Sequence, residues 1–160
     1  MPKDYDDALS RFYEKKISEV MKSDLLSIPI IEQDLGIEET AAFIAIHNHA
    51  WVIESEDNKK LVGVITEKDF LTILHPSKKI SYFGPPDKTS LHYEFFECAK
   101  HIMSRNPIIC TANEKVKDVL DKMELHNVRC LPVMENNRII GEVTIHLMIM
   151  RFYGFIDSLS

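Results

Sequence analysis

Apolar residues recur along this chain in two rhythms. Leu9, Phe12, Tyr13, Ile17, Val20 and Met21 return at helical spacing and predict a helix from Asp4 to about Val20. Leu25 to Ile31 is an apolar run holding Pro29, which predicts a short or edge strand. Glu38 to His47 follows as a helix with Ala41, Ala42, Ile44 and Ala45 on its apolar side. Trp51 to Ile53 is a short strand, Ser55 to Lys60 a polar turn, and Leu61 to Ile65 the returning strand. Thr66 then opens a helix to about Leu74. The same order recurs later: a strand over Pro107 to Thr111, a helix burying Val116, Val119, Leu120 and Met123, strands over Leu131 to Met134 and Arg138 to Val143, and a last helix from Thr144 to about Tyr153. Between the two passes, His75 to about Glu97 carries Pro76, Gly84, Pro85 and Pro86 with Tyr82, Phe83, Tyr93, Phe95 and Phe96. Gly-Pro-Pro forbids regular structure there. The aromatics argue against a solvated linker and for a connection that packs on the body or on a partner.

The recurrence extends to single residues. Val62-Gly63-Val64-Ile65-Thr66 answers Ile140-Gly141-Glu142-Val143-Thr144, and the two glycines stand as far apart as the two threonines. Val20-Met21 answers Ile102-Met103 at a slightly longer interval. Two copies of about sixty residues predict a pseudo-twofold module rather than a solenoid, which needs three or more copies.

Helix starts carry the candidate chemistry. Thr66 can cap the helix that follows it, and Asp69, three residues on, can reach back in a capping box. The same two groups suit a nucleotide: a hydroxyl with free backbone N–H groups for phosphate, a carboxylate for ribose hydroxyls. Capping alone is the plainer account of both. Thr111-Ala112-Asn113-Glu114 has the same box pattern before the second copy's helix.

A net charge of −6 disfavours nucleic acid and anionic membranes as main partners. The N-terminal helix mixes Asp, Glu, Arg and Lys on its polar face, which suits a protein surface better than lipid. Met1 to Tyr13 is charged and has no long apolar run, so it reads as neither a signal peptide nor a membrane span. Cys98, Cys110 and Cys130 are odd in number and lack CxxC spacing, which points to free thiols and a cytoplasmic setting. His47-Asn48-His49 would place two imidazoles on one side if extended, but no further ligand stands at useful spacing, so no metal is expected. No nucleophile–base pair or Gly-rich phosphate loop stands out, and the chain reads as a non-enzyme without a catalytic cofactor.

With its Val/Ile-Met starts, its strand-helix-strand-strand-helix order and its Gly-h-x-[Ser/Thr]-x-x-[Asp/Asn] ending, the chain resembles tandem CBS domains, the repeat named after cystathionine beta-synthase. The fold so implied is α/β (α+β): two repeats, each a small sheet with two helices, packed as a pseudo-twofold module. The boundaries are an N-terminal helical extension over 1–16, repeats over 17–74 and 98–154, the connection over 75–97 and a tail over 155–160. The resemblance further implies a homodimer and clefts that bind AMP, ADP, ATP, S-adenosylmethionine or a relative.

Carried over residue by residue, one cleft takes Thr66 for phosphate and Asp69 for ribose, beside Ile65. Its adenine pocket comes from Ile108, Ile109 and Cys110 with Val128, Arg129, Cys130, Leu131 and Pro132. Apolar side chains sandwich the base, backbone groups read its edge, and the planar fork of Arg129 suits phosphate oxygens. A surface ion pair is the alternative role for Arg129. The second cleft departs from the pattern. Thr144 is kept, but Leu147 stands where the carboxylate belongs, and Trp51 stands where the other copy has Pro132. Leu26, Ser27 and Ile28 would line it, with His49 and Asn48 as its evident polar groups. One competent site is therefore expected, with the second empty, altered or self-filled. The function implied is a stand-alone regulatory module that senses an adenosine compound and reports to a protein partner. The alternative is a ligand-free structural dimerisation domain.

Overall fold

The computed structural model describes residues 3–75 and 96–159. Its helices are α1 (Lys3–Tyr13), α2 (Ile17–Val20), α3 (Ile37–His47), α4 (Leu71–Leu74), α5 (Val116–His126) and α6 (Ile145–Leu159). Its strands are β1 (Ile30–Glu32), β2 (His49–Ile53), β3 (Leu61–Thr66), β4 (Ser104–Arg105), β5 (Cys110–Thr111), β6 (Cys130–Glu135) and β7 (Arg138–Thr144). The chain is mixed α/β and forms two compact units. One is continuous, Pro29–Pro107; the other is split, Met1–Ile28 with Ile108–Ser160. Most of the Pro-rich aromatic connection, including Tyr82, Phe83, Tyr93 and Phe95, lies outside the described residues.

Each unit holds one small sheet of the same design. In the continuous unit the order is β1-β2-β3-β4, with β1 parallel to β2 and the other pairs antiparallel. In the split unit the order is β5-β6-β7, with β5 parallel to β6 and β6 antiparallel to β7. Both hairpins slip register at equivalent points, Val52/Ile53 and Val133/Met134. Asn48 and Asn127 close α3 and α5 in left-handed backbone, φ 69° and 51°, which asparagine tolerates well. One sheet face is the core in each unit: Ala50, Val52 and Ile65 with Ile31, Ile44 and Ala99 in one, and Leu131, Val133 and Val143 with Val116, Val119, Met123 and Met148 in the other.

The two Val/Ile-Met starts and the two strand glycines are parts of one device. Just after Met103, Ser104 and Arg105 run antiparallel to β3, with Gly63 opposite Arg105 and Val64 opposite Ser104. In the split unit Lys22 exchanges two backbone hydrogen bonds with Glu142, each 2.9 Å. A Cβ on Gly63 would lie 2.6 Å from Met103 Sδ and 2.9 Å from the Ser104 carbonyl; on Gly141 it would lie 2.7 Å from the Lys22 carbonyl and 3.1 Å from Met21 Sδ. Glycine is required because another chain segment occupies the space of its side chain. The start of each sequence copy thus completes the unit that holds the other copy's sheet.

Several expected elements come out differently. The helix expected over Asp4 to Val20 breaks after Tyr13. Lys16 is extended, and the backbone of residues 15–18 pairs instead with Ala112, Glu114 and Val116. The strand expected over Leu25 to Ile31 starts only at Ile30. Asp24 accepts from Leu26 N at 3.1 Å and winds Leu25–Ser27 into a 3-10 turn. Thr111–Glu114 forms a turn in which Glu114 Oε2 accepts from Thr111 N at 2.6 Å, but the cap of α5 is Lys115. Leu120 is half-buried rather than buried. The last helix continues through the residues expected as a tail, because Phe155 and Ile156 pack with α1 on the core; the Phe12 and Phe155 ring centroids are 6.3 Å apart.

Gly154 sits inside α6 with nothing within 4 Å of a Cβ placed on it. Gly154→Ala should therefore stabilise the protein by roughly 0.5–1 kcal/mol. Thermal denaturation checks this, and a lowered midpoint would contradict it.

Candidate functional site

At the end of β3 the chain turns sharply from strand to 3-10 turn, Glu67–Phe70. Thr66 N donates to Asp69 Oδ2 at 2.7 Å, and Thr66 Oγ1 donates to the same oxygen at 3.3 Å. The expected capping box is thus formed. Both bonds that Asp69 accepts among the described residues use Oδ2. The other carboxylate oxygen is left for a further donor. The long Thr66 hydroxyl bond costs little to redirect, since such bonds weaken with length. Both side chains are half-buried, and Ile65 is fully buried in the core behind them.

The second copy has the same turn with different chemistry. Thr144 Oγ1 accepts from Leu147 N at 3.0 Å and caps α6. Leu147 returns no acceptor, so this turn holds a hydroxyl and no carboxylate.

Strand register decides the neighbours of both turns. His49 lies directly opposite Thr66, so their side chains share a sheet face with Trp51 and Val64, the face opposite Ala50, Val52 and Ile65. His49 and Trp51 rings meet edge to face at 5.5 Å, and Trp51 is 2% exposed. Cys130 lies opposite Thr144, and Ile145 N donates to the Arg129 carbonyl at 3.0 Å. Each threonine therefore has its own copy's second strand as its neighbour in the ladder. Within the continuous unit His49 is the ladder partner of Thr66, and within the split unit Arg129 is beside Thr144.

The expected nucleotide set divides between the units: Ile65, Thr66 and Asp69 in the continuous one, Ile108 to Cys110 and Val128 to Pro132 in the split one. Ile109 and Arg129 are exposed, Ile108, Val128 and Cys130 half-buried, and Cys110, Leu131 and Pro132 buried. Of the second set, Leu26, Ser27, Ile28, Thr144 and Leu147 belong to the split unit, His49 and Trp51 to the continuous one. Leu26 is 99% exposed, so its side chain packs on nothing among the described residues, whereas Ile28 is buried. Asn48 is not extended but left-handed, φ 69°, so His47 ends α3, stacked 4.3 Å from Phe43, while His49 begins β2. Among the described residues no group of three or more His, Cys, Asp or Glu could hold a metal. Among them, too, no helix is long and apolar enough to cross a membrane.

One part of the split unit escaped the sequence reading. Lys122 Nζ donates to the Ile109 carbonyl at 2.9 Å and to Glu114 Oε1 at 2.7 Å. Its signal is a lysine on a helix, which spacing alone cannot tie to a strand thirteen residues earlier.

Cys110 lies between these contacts. Burial, and then the charge of Glu114, push its thiol up to about 12. Its Sγ donates to the Pro132 carbonyl at 3.5 Å. A thiol held protonated is a poor nucleophile. In native protein at pH 8, iodoacetamide should label the half-buried Cys130 well before the fully buried Cys110. Peptide mass spectrometry checks this, and equal labelling would contradict it. The folded pKa lies above the unfolded one, so this thiol's contribution to stability is complete below about pH 8.5. It declines as pH rises from there towards about 12.

The CBS domain profile matches residues 17–76 and 99–152. A homoserine O-acetyltransferase from Methanosphaera stadtmanae is 28% identical over 138 residues, covering 85% of this chain and 24% of that protein. The chain spans 21% to 36% of the length of the curated relatives it matches. Among solved structures, a CBS domain pair in complex with 5'-methylthioadenosine and S-adenosyl-L-methionine is 25% identical, with a TM-score of 0.62 over 88% of this chain and 96% of that one. CBSX2 in complex with AMP, at 15% identity and a TM-score of 0.70, covers 87% of this chain and 96% of its own, a likeness of fold alone.

Proposed function

This chain belongs to the CBS-domain family, and from that premise we propose that it is a regulatory module that senses an adenosine-containing small molecule at one of its two nucleotide-type turns. The observation that carries the proposal is the asymmetry of those turns. Asp69 keeps a carboxylate oxygen beyond its capping bonds, whereas Leu147 supplies no acceptor at all. A ribose presents two neighbouring hydroxyl donors and needs an acceptor. In this reading Asp69 holds the ribose, Thr66 with the N–H groups of its turn takes phosphate, and Ile108 to Cys110 with Val128 to Pro132 receive the base. AMP, ADP, ATP and S-adenosylmethionine are the candidate ligands; a solved relative binds S-adenosyl-L-methionine and 5'-methylthioadenosine. The ligand acts by favouring one arrangement of the chain over another, which a protein partner reads. The chain itself carries out no chemistry in this reading.

Thermal denaturation with AMP, ATP, S-adenosylmethionine and 5'-methylthioadenosine tests it. A ligand at a hundredfold excess over its Kd stabilises by about 2.7 kcal/mol. For a chain of this size that raises the midpoint by roughly 5–10 °C. No shift with any of the four favours the second reading, a structural dimerisation domain. That reading has its own support, since the capping box already gives Thr66 and Asp69 a structural use.

A homodimer belongs to both readings. Ile46 on α3 and Leu125 on α5, at matching places near the helix ends, are 76% and 80% exposed and offer apolar surface to a second copy. Leu125→Glu should shift sedimentation towards the monomer mass. An unchanged dimer mass would remove α5 from the interface.

A further inference from the structure

The split unit contains a charged clamp on one strand that has no counterpart among the described residues of the other unit. Lys122, on α5, reaches back thirteen residues to the Ile109 carbonyl at 2.9 Å. The same ammonium binds Glu114 Oε1 at 2.7 Å, with the two side chains 27% and 28% exposed. The other oxygen of Glu114 accepts from Thr111 N at 2.6 Å. One ion pair therefore grips the backbone on both sides of Cys110, at a carbonyl before it and an amide after it. Charge-assisted bonds of this length are the strong ones, and partial burial protects them from water. By helix alignment the first copy has Phe43 where the second has Lys122, and a phenyl ring cannot donate. The clamp thus marks one copy only, and it is the copy whose first strand the proposed function assigns to the base.

We propose that Lys122 is a positioning residue for ligand recognition. Through Ile109 and Glu114 it holds the Ile108–Thr111 backbone in the shape that reads the base edge, before any ligand arrives. Ordering a recognition segment in advance removes that cost from binding. The ammonium also takes up the Ile109 carbonyl, which directs base reading to the other backbone groups of the segment. The inference rests on the functional reading above.

Calorimetric titration of the full chain with AMP, and with GMP as the base comparator, tests it. Lys122→Met should weaken AMP binding about tenfold, as loss of a charged hydrogen bond would. It should also narrow the preference for AMP over GMP, because a loosened strand no longer distinguishes their edges. Lys122→Arg, which can still donate to both acceptors, should restore most of each. A merely structural role would lower the melting midpoint without changing the AMP-to-GMP ratio. Glu114→Gln loosens the clamp from its other end and gives the same readouts should Lys122→Met fail to fold. If the wild type binds AMP and both variants bind it with unchanged affinity and ratio, the inference is overturned and the functional reading stands. If the wild type binds neither nucleotide, the inference falls together with the assignment of this strand to a purine nucleotide.

Discussion

Asp69→Ala should lower the affinity for the proposed adenosine ligand by roughly tenfold to a hundredfold, the size expected for one hydrogen bond to a charged acceptor. Both jobs of the carboxylate are lost in this variant. The capping bond from Thr66 N, 2.7 Å long, disappears, which costs the fold about 0.5–2 kcal/mol. The proposed ribose contact should disappear with it. Two measurements separate the losses: the melting midpoint without ligand reports the cap, and calorimetry on the folded variant reports the ribose contact. A lowered midpoint with unchanged affinity would assign Asp69 to the fold alone and return the chain to the structural reading. The counterpart change in the second copy, Leu147→Ala, should leave affinity unaltered, since that turn offers no carboxylate to lose.

Gly63→Ala should be strongly damaging to stability. The new methyl would sit 2.6 Å from Met103 Sδ, 2.8 Å from Met103 Cγ and 2.9 Å from the Ser104 carbonyl. A methionine side chain can swing aside, but the Ser104 backbone cannot retreat without loosening the pairing of β4 with β3. Overpacking of this kind costs about 1–3 kcal/mol. For a protein of this length that lowers the melting midpoint by roughly 2–12 °C. Gly36→Ala is the matched control, because the nearest atom to its added Cβ is 4.0 Å away. Equal midpoints for the two variants would mean that the Met103 segment does not lie against β3. Gly63→Ala with Met103→Ala should recover only part of the loss, the carbonyl contact remaining.

The Thr66–Asp69 box was legible because its partners lie three residues apart and need only a helix start to meet. The contrast with Leu147 was legible for the same reason. Local reading failed at Lys15 to Ser18, where apolar spacing continued a helix that the structure breaks. There the backbone is drawn to Ala112, Glu114 and Val116, and propensity yields to long-range hydrogen bonds. It failed at Asp24, a strong capping residue whose pull on Leu26 N ended the expected strand before it began.

From sequence alone come the duplication, the order of helices and strands, the single Ser/Thr-x-x-Asp turn and the family. All of these are written in periodicities and short spacings, which neighbouring residues settle among themselves. Only the folded chain decides that Met103 seals Gly63 and Met21 seals Gly141, that His49 pairs with Thr66 in the sheet ladder, and that Lys122 holds Ile109. These contacts join segments tens of residues apart, or a strand to a helix, and depend on register and chain closure. No residue in either partner announces the other, so the pairing exists only once the units have closed.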